Sequence, residues 1–272
     1  VSTSTRLASA RLVTHAGKGI ALGLDVAGPG TDLAPCWSIC DGRAKLEWWV
    51  VHNDLMDTAD RVARTVNDYE GRVKVVCIDD TGIGGGVTSR LRQLQRWERS
   101  RLNSPESGPG YLSACTIVAI NFGQEPRNPA KFRRAKDELW WTLSESLKKT
   151  LLGLPPDSEL AKARLPKGNS LIAQLVSAIY ETDASGRIKV YDRRDPKSSS
   201  EKLKALPTKS PDLAHSLMLA NWGFHLMRAQ WDEEQPRTIL EKRAKEWRER
   251  IKKDIQQHFR PDERGPDNFD FC

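Results

Sequence analysis

The chain has 272 residues, with 43 Lys and Arg against 36 Asp and Glu, for a net charge of +7. That length suffices for one large domain or two small ones. No apolar run has membrane-spanning length and no signal peptide is read, which predicts a soluble, intracellular protein. The five cysteines, Cys36, Cys40, Cys77, Cys115 and Cys272, are scattered. Cys36 and Cys40 have no second Cys or His pair to complete a zinc site, so all five read as reduced thiols. The first residue is Val1 rather than Met, which reads as a fragment of something longer.

Residues 1–18 are polar with weak periodicity and read as a linker or arm. Residues 19–24 form an apolar strand ending in Asp25, ahead of a Gly28-Pro29-Gly30 turn. Residues 33–40 and 44–51 are two further apolar runs, and the Asp41-Gly42-Arg43 between them is a hairpin signal. The chain therefore opens as an antiparallel three-strand meander. Residues 54–66 then read as a helix with Leu55, Ala59, Val62 and Val66 on one face.

Residues 74–78 are a β-branched run typical of a buried strand, and they end in Asp79 and Asp80. Four glycines follow within residues 81–86, and helical composition resumes over 87–97. Strand, acid, glycine loop and helix in that order put a carboxylate at the C-terminal lip of an α/β sheet. The glycines let the backbone turn sharply and let a polyanion come close. A Walker A loop would close on Gly-Lys-Ser/Thr, whereas this one closes on Gly-Gly-Val-Thr. No ATP site is expected here. A solvated turn with a capping Asp is the plainer alternative for this stretch taken alone.

Residues 98–111 read as a polar loop and 115–120 as a short strand. A long helix is expected over 131–151, with Phe132, Ala135, Leu139, Leu143 and Leu147 as its buried stripe and Trp140 beside it. A short helix spans 157–163, and residues 170–178 and 187–191 flank Asp183-Ala184-Ser185-Gly186 as an extra β-hairpin. Residues 192–209 form a basic loop with room for one helical turn. Ser210 as N-cap and Pro211 as first helical residue then open an apolar helix to about residue 226. From 233 a charged helix runs to about 259, followed by a tail rich in Pro, Asp and Gly that reads as disordered.

The resulting plan is an arm over 1–18, an α/β domain over 19–231, and a charged helix and tail over 232–272. The element order predicts a mixed sheet, a three-strand meander plus parallel strands, flanked by helices. That is the arrangement of the ribonuclease-H-like nucleases. Positive charge concentrates in 187–209, with eight Lys/Arg against three Asp/Glu, and in 236–260, with nine against four. Such concentration is the footprint of a nucleic-acid partner, with a solvated face as the alternative, and a strong one for the second segment.

Asp25, Asp79 and Asp212 each lie at an element end that this topology brings together. Singly, each reads as a turn or cap residue; together, three carboxylates repel unless divalent cations hold them. Oxygen donors suit Mg²⁺ or Mn²⁺, and two ions about 4 Å apart can cleave a phosphodiester. His215 lies one helical turn beyond Asp212 and shares its face. Either it is a partly exposed histidine on a helix that buries Leu213, Leu217 and Phe224, or it is an accessory to the acids.

Three stretches also resemble the C-terminal nuclease domain of bacteriophage terminase large subunits. They are Leu24-Asp25-Val26-Ala27, the run from Ile78 through Asp79, Asp80 and the glycines to Val87, and Ser210-Pro211-Asp212-Leu213-Ala214-His215 onward to Leu219. Residues 132–141 and Gly186-Arg187-Ile188-Lys189 are similar to family stretches as well, so the likeness covers about 19–222. It implies a ribonuclease-H-like fold and metal-dependent cleavage of double-stranded DNA with little sequence preference. It further implies Asp25, Asp79 and Asp212 as ligands of two Mg²⁺ or Mn²⁺ ions, with Asp80, Asp32 and His215 as accessory candidates. Many members have an aspartate where this chain has His215.

Arg187, Lys189, Arg193, Arg194, Lys197, Lys202, Lys204 and Lys209 are the candidate DNA contacts. The family context implies an N-terminal ATPase domain in the full-length protein, a small terminase subunit and a portal as partners, and the host cytoplasm as location. A junction resolvase or other ribonuclease-H-like nuclease, and a non-catalytic DNA-binding module, are the competing readings.

Overall fold

The computed structural model describes residues 19–28, 30, 32–51, 54–101, 110–195 and 200–234, with side chains to residue 229. The opening apolar runs are β1 (Ile20–Leu24), β2 (Ala34–Cys40) and β3 (Arg43–Val50), paired antiparallel as a meander. The β2–β3 turn holds Asp41 at φ 49° and Gly42 at φ 72°, the left-handed pair that matches the twist of a two-residue hairpin. β4 (Val73–Asp79) then lies parallel to β1, and β5 (Thr116–Ile120) parallel to β4, giving the order β3-β2-β1-β4-β5. This is the mixed sheet expected from the sequence.

Strand alternation assigns the two faces. Ile20, Leu22, Leu24, Val76 and Ile78 pack on α1 (Leu55–Asp68) and α2 (Gly84–Arg101), chiefly through Ala59, Val62, Val66, Val87 and Leu91. Trp37, Ile39, Val75 and Cys77 face the other way, toward α3 (Ala135–Lys148) and a late helix with Leu213 and Leu217. Between those two helices come α4 (Asp157–Lys162), α5 (Leu171–Ser177), the hairpin of β6 (Ile179–Thr182) and β7 (Ile188–Tyr191), and the single turn α6 (Glu201–Lys204). The late helix is α7 (Asp212–Glu234). Every residue from 211 to 221 is buried, so the first three turns of α7 are enclosed on all sides rather than laid on the surface.

Gly23 makes that enclosure possible. A methyl group there would overlap the backbone of Ser216 and Ala220 and stand 2.7 Å from the Ala220 Cα. The Ser216 hydroxyl binds the Gly23 and Pro35 carbonyls at 2.8 and 2.7 Å, pinning the helix across β1 and β2.

Four local expectations are corrected. The glycine run is not a loop throughout, because α2 already begins at Gly84; a side chain there would overlap the Asp79 carbonyl, and one at Gly86 would meet Leu55. Residues 171–177 are helix, with the Ser170 hydroxyl capping the Ala173 N–H, so only 179–182 supply the first hairpin strand. The long helix starts at Ala135, since Phe132 bridges to Ile188 of β7 instead. Ser210 is not the N-cap: the Pro211 carbonyl accepts the His215 N–H, which makes Asp212 the first helical residue.

The chain divides into two units after Met227, and the second is described only as helix from Arg228 to Glu234. The expected arm, most of the 98–111 loop, Pro29, Lys197, and the charged helix and tail beyond 234 lie outside the described residues. Among the described residues no helix is long and apolar enough to cross a membrane. Cys36, Cys40, Cys77 and Cys115 are free; burial pushes Cys77 up to about 12 and Cys115 to about 11, so these are inert thiols.

Candidate metal centre

Leu24 and Ile78 are partners in the parallel β1–β4 ladder, so Asp25 and Asp79 follow side by side at the ends of adjacent strands, which are spaced about 4.8 Å apart in a sheet. Alternation then decides between the two neighbouring acids of β4. Asp79 falls on the face of Val75 and Cys77, beneath α7. Asp80 falls on the other face, where its Oδ1 accepts the Thr88 hydroxyl at 2.7 Å from α2. Asp212 reaches the same edge from above. Its Oδ2 accepts the Leu33 N–H at 2.9 Å, one turn before Ser216 fastens α7 to β1. Three predicted acids thus meet at one sheet edge, only 6%, 9% and 3% exposed for Asp25, Asp79 and Asp212.

Burial with so little water makes their mutual repulsion count. The carboxyl of Asp79 is pushed up to about 6, first by burial and then by the charge of Asp25, with the bonds from Thr81 opposing. Asp212 is pushed up to about 6 by the same two causes, with Asp32 adding a little. Asp25 is therefore the charge that both neighbours feel. Asp32 itself is exposed.

His215 is buried, not partly exposed. Its Nδ1 stands 3.3 Å from Asp25 Oδ2 and its Nε2 2.7 Å from Asp192 Oδ2. Burial alone would lower its proton affinity, but the bonds to Asp192 and Asp25 outweigh that and carry it up to about 9, so the ring is an imidazolium at neutral pH. Asp192 follows β7 directly and also receives the Lys136 ammonium at 2.6 Å and the Trp140 indole N–H at 3.0 Å. Although burial opposes it, the bonds and charges of His215 and Lys136 hold its carboxyl well below the usual range. Asp192, Lys136 and Trp140 were not among the site residues expected from the sequence, where Trp140 stood only beside a buried helix stripe. The signal for Asp192 was available, since it is a strand-end acid like Asp25 and Asp79. Lys136 and Trp140 carry none.

The donor set suits a hard divalent ion: three buried carboxylates with only oxygen to offer. Among the described residues, however, no three Asp, Glu, His or Cys side chains are drawn together tightly enough to enclose an ion. Each acid is turned to its own partner: Asp25 to His215, Asp79 Oδ1 to the Thr81 N–H at 2.8 Å, and Asp212 to Leu33. Ion binding has to compete with the backbone bonds at Asp79 and Asp212, whereas His215 takes only Oδ2 of Asp25.

The predicted DNA contacts divide by environment. Arg187 is paired with Asp183 at 3.0 Å, Lys204 with Glu201 at 2.8 Å, and the Lys189 ammonium lies 4.2 Å from the Tyr191 ring centre. Arg193, Arg194, Lys202 and Lys209 are exposed.

Structural comparison aligns this architecture with the nuclease domain of the large terminase subunit of bacterial virus Sf6. The two are 15% identical over 81% of this chain and 93% of that one, with a TM-score of 0.52. A point variant of that domain with calcium gives 16% identity, 80% and 92% coverage, and a TM-score of 0.52. The same variant with manganese and beta-thujaplicinol gives 16%, 80% and 92%, and 0.51. No protein-family model matches the sequence, and no curated protein matches it. The likeness is one of fold: a mixed five-stranded sheet with helices on both faces.

Proposed function

We propose that this chain, which has the fold of large-terminase nuclease domains, is a divalent-metal-dependent endonuclease that cleaves double-stranded DNA with little sequence preference. The observation that carries the reading is the meeting of Asp25, Asp79 and Asp212 on one face of one sheet edge, buried and mutually destabilising. Those three would hold two Mg²⁺ or Mn²⁺ ions, exchanging hydrogen bonds to Thr81 and Leu33 for metal coordination. When bound, such ions supply Lewis acidity to the scissile phosphate. Arg193, Arg194, Lys202 and Lys209 would hold the DNA backbone beside them. The same fold in a terminase supports a place in DNA packaging, cutting concatemeric genomes at the start and end of filling. An ATPase domain, a small subunit and a portal would be its partners.

Digestion of supercoiled plasmid tests the reading. Nicking is expected with Mn²⁺ or Mg²⁺ and is expected to stop with chelator. Asp25→Ala, Asp79→Ala and Asp212→Ala should each lose at least about 100-fold in rate, beyond the loss typical of a residue that only supports a ligand. Each should retain the wild-type circular dichroism spectrum. If Asp79→Ala cuts as well as wild type, the acids are not the site. Plasmid left intact in both metals but still bound would make the chain a DNA-binding module.

A further inference from the structure

We propose that Asp192 is a positioning residue of the carboxylate site: seated by Lys136 and Trp140, it sets the His215 imidazole so that Nδ1 faces Asp25 and fixes that carboxylate for a divalent ion. The inference rests on the metal reading above and names a group outside the three acids.

Asp192 is 3% exposed, and three donors from two helices converge on it. Lys136 reaches both of its oxygens, at 2.7 and 2.6 Å, while Trp140 and His215 share Oδ2 at 3.0 and 2.7 Å. A carboxylate so engaged has little freedom to turn. A structural ion pair would need only Lys136. The third donor, His215, faces the acid site instead.

The ring of His215 is fixed in turn. Phe122 and Trp140 meet it edge-on, with centroids at 5.1 and 6.0 Å, and both of its nitrogens lie on carboxylates. Once Nε2 is bound to an immobile oxygen, the ring plane and the direction of Nδ1 are set, as with the outer partners of metal-binding histidines. Nδ1 then addresses Asp25, the one acid whose charge acts on both of the others. The geometry also joins two parts of the surface to the site. Asp192 closes the hairpin strand β7 and immediately precedes Arg193 and Arg194.

The test is calorimetric titration of MnCl₂ into the whole chain, which reads ion affinity without activity. Asp192→Asn should weaken Mn²⁺ binding about 10- to 100-fold, the range for residues that orient a ligand. His215→Asn should weaken it similarly, and the double variant should be no weaker than either, because Asp192 acts through His215. Leu143→Ala, a core truncation that lowers the thermal midpoint, should keep the wild-type affinity and so separates positioning from loss of stability. Wild-type affinity in Asp192→Asn, or losses that simply add in the double variant, would overturn the proposal. Should Asp192→Asn fail to fold, Trp140→Phe removes one donor and keeps the ring; a several-fold loss supports the proposal and an unchanged affinity overturns it. A wild-type chain that takes up no Mn²⁺ removes the metal reading itself, a result visible before any variant is made.

Discussion

At the scale of residues, the acid edge stores repulsion that pH can release. Asp79 and Asp212 ionise near 3.8 when unfolded and at about 6 in the fold. Their contribution is complete below pH 3.8 and is lost as pH rises through 6, because the folded carboxylates must then ionise while buried and against Asp25. His215 rises from 6.5 to about 9, so its contribution is complete below 6.5 and lost as pH passes 9. Asp192, held low, acts in the opposite sense and loses its contribution only in acid. In chelator, the thermal midpoint should therefore fall from pH 4.5 to pH 9, by roughly 15 °C or more, since over that range each carboxylate loses on the order of 2 kcal/mol and His215 on the order of 3 kcal/mol. Asp25→Asn should flatten the lower half of that curve, and His215→Asn the upper half. Thermal melts across pH decide it, and a wild-type midpoint constant over this range would mean the acids do not feel one another.

At the scale of elements, the crossing of α7 over β1 is set by a single missing methyl group. Gly23→Ala would drive Cβ into the Ser216 and Ala220 backbone, which no side-chain rotation can relieve. A loss of about 3 kcal/mol or more is expected in urea denaturation, at or above the usual cost of overpacking. Cleavage should fall further than stability explains, because Asp212 would move away from Asp25. Gly30→Ala, with open space around it, should change stability by less than about 0.5 kcal/mol. If both variants melt alike, the close approach is not what holds the helix. Gly23 was unremarked in the sequence because its partners are 193 and 197 residues away. Asp25, Asp79 and Asp212 were legible because each ends, opens or directly follows a periodic element. The glycines of α2 misled for a physical reason. Their low helix propensity is overridden by packing on Asp79 and Leu55 that only the folded chain reveals. Residues 171–177 misled through Ile172 and Val176, β-branched residues that the helix leaves exposed.

At the scale of the whole molecule, the basic segment after β7 should make DNA binding strongly salt-dependent. Reversal of Arg193 or Arg194 to Glu should each reduce the slope of log Kd against log salt by about one or more, since a phosphate contact releases about one counterion. Reversal at Lys204 should matter less, because Glu201 already offsets its charge. Fluorescence anisotropy of a duplex in chelator, between about 50 and 200 mM salt, measures this. Slopes unchanged by the reversals at Arg193 and Arg194 would put the DNA elsewhere.

The enclosure of α7 also bears on when the site can exist. The sheet is complete by Ile120, yet one face has no central cover, and the acid edge has no Asp212, until residues 211–221 arrive. At ribosomal speeds that is a delay of ~5–20 s for roughly the next hundred residues. On the metal reading proposed above, a nascent chain stays unarmed until residues 211–221 close over the strands, and any cleavage hazard begins only then.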